Sequence, residues 1–461
     1  MAPPKSVKVV ELCKVAPAAG SGSGSVIEAS LPLSFFDLFW LPVPPTQLLY
    51  FYRFPHSSIY FRQSLLPRIK HSLSLTLFHF YPFAGHLSWP PECPKPMIHY
   101  AQGDSVSLAI AESDGNFYHL SGNKAQDAKE LHPLIPELRV SRSTVPMLAL
   151  QITVFPDSGI CLGVTMPHAV ADARTIMNFI NAWSSACRLG EISLSTEALP
   201  CYEKTVIKDP KGLEEMYLNQ LTEHYCKSAG NPRLDVLDFG QPDNTVRATF
   251  ELSRANIATL KAGAMALHKD KQLPPARLST FTLLCAYIWV SLVKSGDQRV
   301  SLSFNVDCGA RQKPPVPATY FGNCVGTRVV TAERADLLRH DGIVIAACLI
   351  EESINGLEDG ALDGAEGWVS RLLSSKSEGK IWAAGSPRLG IYDADFGWGR
   401  PKKVELASID KTGAIFIRES CNGDGGVEVS LALMKHEMDA FASVFVNGLE
   451  AKGSVFHRSG L

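Results

Sequence analysis

The 461-residue chain lacks the features that mark several specialised classes of protein. Its start, MAPPKSVKVVELCKV, has no long apolar core, so no signal peptide is expected. The most apolar stretch, residues 278–293, is shorter than about 18 residues and carries four Ser or Thr side chains, which predicts a buried helix rather than a membrane span. The net charge is only -2 and no block of Lys or Arg stands out, so neither nucleic acid nor a membrane surface is an expected partner.

The cysteines also exclude two kinds of site. There are 11 of them, an odd number scattered along the chain, and no pair forms a CxxC motif. This distribution argues against a zinc site and against a disulfide framework, and it predicts reduced thiols in the cytoplasm. We expect no metal and no permanently bound cofactor.

The segment around residue 168 shows a change of period. Leu148 to Val154 alternate between apolar and smaller or polar residues, a Pro-Asp-Ser-Gly turn covers 156–159, and the alternation resumes from Ile160 to Met166. This predicts a hairpin of half-buried strands. Apolar residues then recur at helical spacing from Ile176. His168 is therefore predicted to lie at a junction between a strand and a helix, where a reactive side chain is anchored on both sides.

Strand and helix patterns are mixed in both halves of the chain, which predicts an α/β fold with two layered domains. We assign residues 1–195 to an N-terminal domain and 241–461 to a C-terminal domain. Residues 196–240 have little periodicity and many turn formers, so they are predicted to form a crossover between the domains.

Two short motifs bear on function. His168 and Asp172 form a His-x-x-x-Asp motif, which is weak evidence alone, because Asp172 also fits the N-cap of the following helix. The second motif, DFGWG at 395–399, does not belong to a kinase, since the other kinase motifs are missing. A tight turn explains it better: Gly397 and Gly399 supply unusual backbone angles, Trp398 packs, and Asp395 belongs to the same structural motif.

Together, HAVAD and DFGWG resemble the plant BAHD acyltransferase family. Further stretches that look like this family are LPLSFFDLFWLPVPP (31–45), FYPFAGHL (80–87), LSTFTLLCAYIWVSLVK (278–294), YFGNC (320–324), AGSPR (384–388) and residues 425–450. YFGNC and LPLSFFDL resemble the branch that acylates anthocyanin and other phenolic glucosides. The resemblance implies two similar mixed-sheet domains of the chloramphenicol-acetyltransferase-like type, with an active-site channel between them.

The resemblance also implies roles for the first motif. His168 would be the general base that takes a proton from the acceptor hydroxyl, and Asp172 would support the loop by pairing with an arginine. The family's Asp-x-Arg-x-Arg pattern is DCGAR here (307–311), with Gly309 in place of the first arginine. We therefore expect an Asp172–Arg311 pair.

Other residues are predicted to bind the substrates or the reacting oxygen. Asn323 is a possible donor to the oxyanion, with a turn-stabilising role as the alternative. Ser279 and Thr280 open a helix and, with Lys271 and Arg277, would bind the phosphates of coenzyme A; a plain helix cap beside solvated charges is the alternative. Arg174 and Arg388 would bind carboxylates, or else form surface ion pairs. Phe35, Phe36 and Asp37 would line the acceptor mouth, with core packing as the alternative for both phenylalanines.

The leading hypothesis for the function has alternatives within the same enzyme class and in other classes. The chain is expected to be a monomeric acyltransferase that moves an acyl group, malonyl in first place, from acyl-CoA to a phenolic glycoside. Acetyl or hydroxycinnamoyl donors remain open. A catalytically weak binding protein and a hydrolase that uses His168 to activate water are the alternatives of other classes.

Overall fold

The structure is a computed structural model of the chain. It describes residues 7–19, 28–90, 93–140, 144–192, 194–225, 234–270, 278–293, 298–357, 360–374 and 380–450. Two predicted coenzyme A ligands, Lys271 and Arg277, lie outside these residues.

Seventeen strands are assigned in this part of the chain: β1 (Val7–Val15), β2 (Glu28–Pro32), β3 (Thr46–Arg53), β4 (His86–Ser88), β5 (Met97–Ala101), β6 (Val106–Ser113), β7 (Gln126–Asp127), β8 (Thr144–Pro146), β9 (Ala149–Phe155), β10 (Gly159–Met166), β11 (Thr245–Leu252), β12 (Arg299–Asp307), β13 (Val325–Glu333), β14 (Lys380–Ser386), β15 (Lys403–Leu406), β16 (Ala414–Glu419) and β17 (Val427–Met434).

Thirteen α-helical segments accompany them: α1 (Phe35–Trp40), α2 (Ser58–Tyr60), α3 (Leu66–His79), α4 (Phe117–Leu120), α5 (Ala173–Leu189), α6 (Leu213–Tyr225), α7 (Arg254–Asp270), α8 (Thr280–Leu292), α9 (Arg334–Leu337), α10 (Gly342–Asn355), α11 (Trp368–Leu373), α12 (Ile409–Thr412) and α13 (Lys435–Glu450). A π-helical turn, Phe61–Leu65, joins α2 to α3.

The strands form three sheets. A six-stranded sheet has the order β1-β6-β9-β10-β3-β15, and a seven-stranded sheet has the order β13-β12-β14-β16-β17-β11-β7. A four-stranded sheet, β2-β5-β4-β8, accompanies the first. Each large sheet contains both parallel and antiparallel pairs, as the prediction of two mixed-sheet α/β domains requires.

Two strands depart from the predicted domain boundaries. β15 comes from the C-terminal half but pairs with β3 at the edge of the six-stranded sheet, and β7 comes from the N-terminal half but pairs with β11 in the seven-stranded sheet. The predicted crossover also contains a regular helix, α6, which the weak periodicity of residues 196–240 does not indicate. A division into contiguous halves is therefore only approximate, since each half donates a strand to the other.

The local prediction around residue 168 is largely correct. β9 and β10 form an antiparallel hairpin with Gly159 opposite Phe155, and α5 begins after its N-cap, Asp172. The hairpin is buried on both faces, however, not half-buried. A second apolar cluster covers the outer face, where Gln151 donates to the carbonyl of Pro133 at 2.9 Å and so satisfies its buried amide.

α8 is the buried helix predicted for the most apolar stretch: Leu283, Leu284 and Trp289 are fully enclosed. Among the residues described, no helix is long and apolar enough to cross a membrane. All the cysteines described are free thiols.

A network of buried charges joins the two large sheets. Glu405, on the donated strand β15, accepts from Arg247 on β11 at 2.9 Å, and Arg418 on β16 lies 2.7 Å from Glu428 on β17. Burial alone would raise the pKa of Glu405, but Lys403, Arg247 and Arg418 outweigh it and hold the pKa at about 2. The carboxylates therefore stay ionised and keep β15 bound to the other sheet.

Replacing Arg418 by Met should destabilise the fold by about 3–5 kcal/mol, because it leaves Glu428 and Glu405 buried without their full complement of positive charge. Arg299→Met is the matched control, since it breaks an exposed pair with Glu333 and should cost less than about 1 kcal/mol. Equilibrium unfolding in urea measures both changes. Equal stability of the two variants would contradict this role for the network.

Candidate active site

His168 lies at the first position of a short 3-10 turn, His168–Val170, between β10 and α5. Its ring stacks on the indole of Trp40 with centroids 4.0 Å apart and an interplanar angle of 10°. Nδ1 is buried without a hydrogen-bond partner among the described residues, although the residue as a whole keeps part of its surface exposed. Burial lowers the pKa of His168 to about 4, so the imidazole is neutral at physiological pH. A neutral imidazole can accept a proton, and the indole face can stabilise the imidazolium that results.

Asp172 is fixed by backbone donors. One carboxylate oxygen accepts the N–H of Thr175 at 3.0 Å, which is the predicted N-cap bond, and the other accepts the N–H of Cys324 at 3.1 Å. Burial raises the pKa of Asp172, and these two N–H bonds oppose the rise. The aspartate therefore ties the start of α5 to the YFGNC segment.

The expected Asp172–Arg311 pair is wrong. Arg311 donates instead to the carbonyl of Asp307 at 2.6 Å, and among the described residues it forms no ion pair with Asp172. Position 309, where the family has an arginine, has no room for a side chain here, because a Cβ on Gly309 would lie 2.7 Å from the Cβ of Cys324. The space that a family arginine would need is filled by the loop itself.

Asn323 is not available as an oxyanion donor. Its Nδ2 donates both hydrogens, one to Oδ1 of Asp37 and one to the carbonyl of His168, each at 3.0 Å. The side chain is completely buried. The turn-stabilising alternative therefore describes its role better.

Phe35, Phe36 and Asp37 do not line an open mouth. All three are at most 1% exposed and lie in α1, which packs against the His168 turn. Asp37 completes a capping box with Ser34 and accepts two hydrogen bonds from Asn323. The core-packing alternative holds for the phenylalanines, and the carboxylate serves the fold.

The two arginines predicted to bind carboxylates, Arg174 and Arg388, have different surroundings. Arg174 lies in the first turn of α5 and forms an ion pair with Asp307, and both side chains remain partly exposed. Arg388 is exposed in the loop after β14, and its backbone N–H donates to Ser386. The ion-pair alternative therefore applies to Arg174, though one partner does not occupy its whole guanidinium group.

The predicted coenzyme A residues are described only in part. Ser279 is the N-cap of α8 and accepts the N–H of Thr282 at 3.0 Å; Thr280 is exposed at the first position of the helix. This geometry is that of an ordinary cap, and it leaves Thr280 accessible.

DFGWG forms the tight turn that its glycines predict. Oδ1 of Asp395 accepts the N–H groups of Gly397 and Gly399, whose φ angles are 103° and 100°. Trp398 stacks on Phe396 and packs edge-on against Tyr52 of β3. The motif therefore attaches the C-terminal half to the first sheet, and in the part of the chain that the structure describes no ring contact joins it to His168.

Two side chains of this site were not among the residues predicted from the sequence. Trp40 forms the face beneath His168 and donates from Nε1 to the carbonyl of Val325 at 2.9 Å. Lys204, from the predicted crossover, reaches Asp37. The capping-box spacing of Ser34 and Asp37 could have predicted where α1 begins, but nothing local indicates that α1 meets His168.

Comparison with known proteins places this site in a family. A family model described as Transferase family matches residues 14–447. The chain is similar to phenolic glucoside malonyltransferase 1 of Arabidopsis thaliana, with 37% identity over 96% of this chain and 98% of that protein. It is 36% identical to a coumaroyl-CoA:anthocyanidin 3-O-glucoside-6''-O-coumaroyltransferase of the same plant, over 96% and 97% of the two chains. The crystal structure of vinorine synthase shares the fold, with a TM-score of 0.71, 20% identity and coverage of 94% and 96%.

The matches span nearly the whole chain and agree with the motifs and the fold. The chain therefore belongs to the transferase family of the plant BAHD enzymes and is an acyltransferase.

Proposed function

We propose that the protein transfers a malonyl group from malonyl-CoA to a sugar hydroxyl of a phenolic or flavonoid glucoside, with His168 as the general base. The observation that supports this most is a neutral, partly accessible imidazole on the face of Trp40. A second support is that relatives matching nearly the full chain include a malonyltransferase of phenolic glucosides.

The proposed reaction is direct transfer in a ternary complex. The acceptor oxygen attacks the thioester carbonyl carbon while the imidazole of His168 takes the hydroxyl proton. The tetrahedral intermediate then collapses, the carbon–sulfur bond breaks, and the imidazolium returns the proton to the departing thiolate. Ester and free coenzyme A result. A positioned base of this kind contributes about 10²–10⁴-fold to the rate.

Arg174 is the proposed partner of the malonyl carboxylate. It stands two residues after the motif, is partly exposed, and is oriented by Asp307. A guanidinium has five N–H donors, so the pair with Asp307 leaves donors for a second carboxylate. Ser279 and Thr280 remain the proposed contacts for coenzyme A, and we propose that the protein acts as a monomer in the cytoplasm.

A hydroxycinnamoyl donor is the second candidate. Asp307 already neutralises much of the charge of Arg174, and relatives of nearly equal identity transfer coumaroyl groups. An uncharged acyl group would need no arginine. A comparison of malonyl-CoA with coumaroyl-CoA as donors therefore distinguishes the two candidate functions.

His168→Ala should lower turnover at least 100-fold while the protein remains folded, because the hydroxyl then loses its base. His340→Ala, at an exposed position, is the control and should retain full activity. Free thiol released from acyl-CoA, with and without a glucoside acceptor, measures both. Ordinary activity of His168→Ala would refute the base. Acceptor-independent release by the natural protein would indicate a hydrolase, and no release from any acyl-CoA would indicate a binding protein.

Arg174→Gln should lower kcat/KM for malonyl-CoA by about 10- to 100-fold, the effect of losing a charged hydrogen bond. The value for coumaroyl-CoA should change less than about threefold, since that donor has no carboxylate to pair. Arg62→Gln is a matched control, because the Arg62–Glu112 pair is about as exposed as the Arg174–Asp307 pair. Product mass identifies the transferred group. A natural protein inert toward malonyl-CoA but active with coumaroyl-CoA would overturn the donor proposal and leave the family assignment intact.

A further inference from the structure

We propose that Lys204, in the segment connecting the two halves, is a positioning residue for acyl transfer that acts on His168 through Asp37 and Asn323. The proposal rests on the proposed role of His168 as the base. Lys204 itself takes part in no bond-making or bond-breaking step of the proposed reaction.

Lys204 is directed inward from a short 3-10 turn, Lys204–Val206, and its side chain is only 13% exposed. Nζ lies 3.4 Å from Oδ2 of Asp37 and donates to the Tyr320 hydroxyl at 3.2 Å and to the Phe321 carbonyl at 3.0 Å. A lysine has three N–H donors, and these three acceptors use all of them. The ammonium group is therefore held at one point, unlike a solvated surface lysine.

Asp37 needs this cation. Its carboxylate is 1% exposed, with Oδ2 accepting from Ser34 and Oδ1 accepting the backbone and side-chain N–H groups of Asn323. Within the described residues, Lys204 is the cation at ion-pair distance from it. A buried carboxylate without a partner protonates or rearranges, and either change weakens the bonds that it accepts.

Asn323 carries the effect to the histidine. Its amide nitrogen bridges Asp37 and the carbonyl of His168, and both acceptors are oxygen atoms, so the orientation of the amide is determined. Hydrogen bonds to an ionised carboxylate are stronger than those between neutral groups. The charge on Asp37 therefore holds Asn323, and Asn323 holds the backbone from which the imidazole projects.

The backbone beside Asn323 is shaped around Lys204. Gly322 has a φ of 143°, and a Cβ there would lie 3.0 Å from Nζ of Lys204 and 2.8 Å from the Tyr320 ring. The connecting segment also bonds to this loop through Cys201, which accepts the N–H of Phe321 at 2.9 Å. A bulky residue at 322 would displace either the lysine or the loop.

Lys204 makes no contact with His168 itself, so its loss should change the placement of the base and leave substrate binding intact. A displacement of about 1 Å at a reacting group can cost about 100-fold in rate. We therefore expect kcat to fall about 10- to 100-fold in Lys204→Met, with KM for acyl-CoA within about twofold of the natural value. The kcat of Lys204→Arg should lie between those of Lys204→Met and the natural protein, because arginine restores the positive charge but not the geometry of the three hydrogen bonds.

The experiment compares these variants with Lys208→Met, an exposed lysine of the same segment, in the assay used for His168→Ala. A double variant, Asp37→Asn with Lys204→Met, removes both charges, so it leaves no buried ion unpaired and should fold better than Lys204→Met. It should nevertheless keep the low kcat, because Asn323 no longer donates to a carboxylate. Thermal unfolding of every variant separates stability from rate.

Three results would overturn the proposal: a folded Lys204→Met with natural kcat, a double variant that regains rate and stability together, or a loss confined to KM. The outcome for His168→Ala is read separately. An active His168→Ala refutes the base itself, whereas an inactive His168→Ala with a fully active Lys204→Met refutes only the positioning role.

Discussion

Among the residues that the structure describes, the turn that carries His168 pairs with no strand, and its shape depends on hydrogen bonds with the YFGNC segment of the other half. Asn323 holds the carbonyl of His168, Cys324 donates to Asp172, and the hydroxyl of Thr175 donates to the carbonyl of Gly322 at 2.9 Å. Because these bonds cross between the halves, the proposed base is in place only when both halves are docked. The candidate active site is therefore a property of the interface rather than of either domain.

Docking must in turn be rigid, since small displacements of a reacting group are costly in rate. Exchange of β7 and β15 ties each large sheet to a strand from the other half. The buried ion pairs around Arg418 and Glu405 fix β15 from the side of the second sheet, and the DFGWG turn packs against Tyr52 of the first. Packing and charge thus act together at the boundary on which the His168 turn depends.

The elements that follow from local pattern were predictable from the sequence. The hairpin of β9 and β10, the helix α5 and its cap at Asp172 follow from period and capping chemistry. Features that depend on distant partners could not be predicted in this way. β15 is only four residues long, so it has too short a pattern to indicate its sheet, and Asn323 bonds to Asp37, which is 286 positions away. The Asp172–Arg311 pair failed for the same reason: Asp172 accepts the backbone N–H of Cys324, 152 positions away, and Arg311 donates to the carbonyl of Asp307. Local signals place His168 at its junction, and only the packing of α1 shows the face of Trp40 beneath it.

We infer that burial keeps His168 neutral and able to accept a proton, and the pH dependence of kcat/KM measures whether it does. Burial destabilises the imidazolium, so the pKa lies at about 4 instead of the usual value near 6.5. The base is active above this pKa and is lost as the pH falls through it. We predict a kcat/KM that stays level from pH 8 to about pH 5 and declines only nearer to pH 4. The opposite result is a kcat/KM that falls to half its maximum between pH 6 and 7, with a decline that disappears only in His168→Ala. That result would show that His168 titrates as an ordinary exposed imidazole and that burial does not keep it neutral.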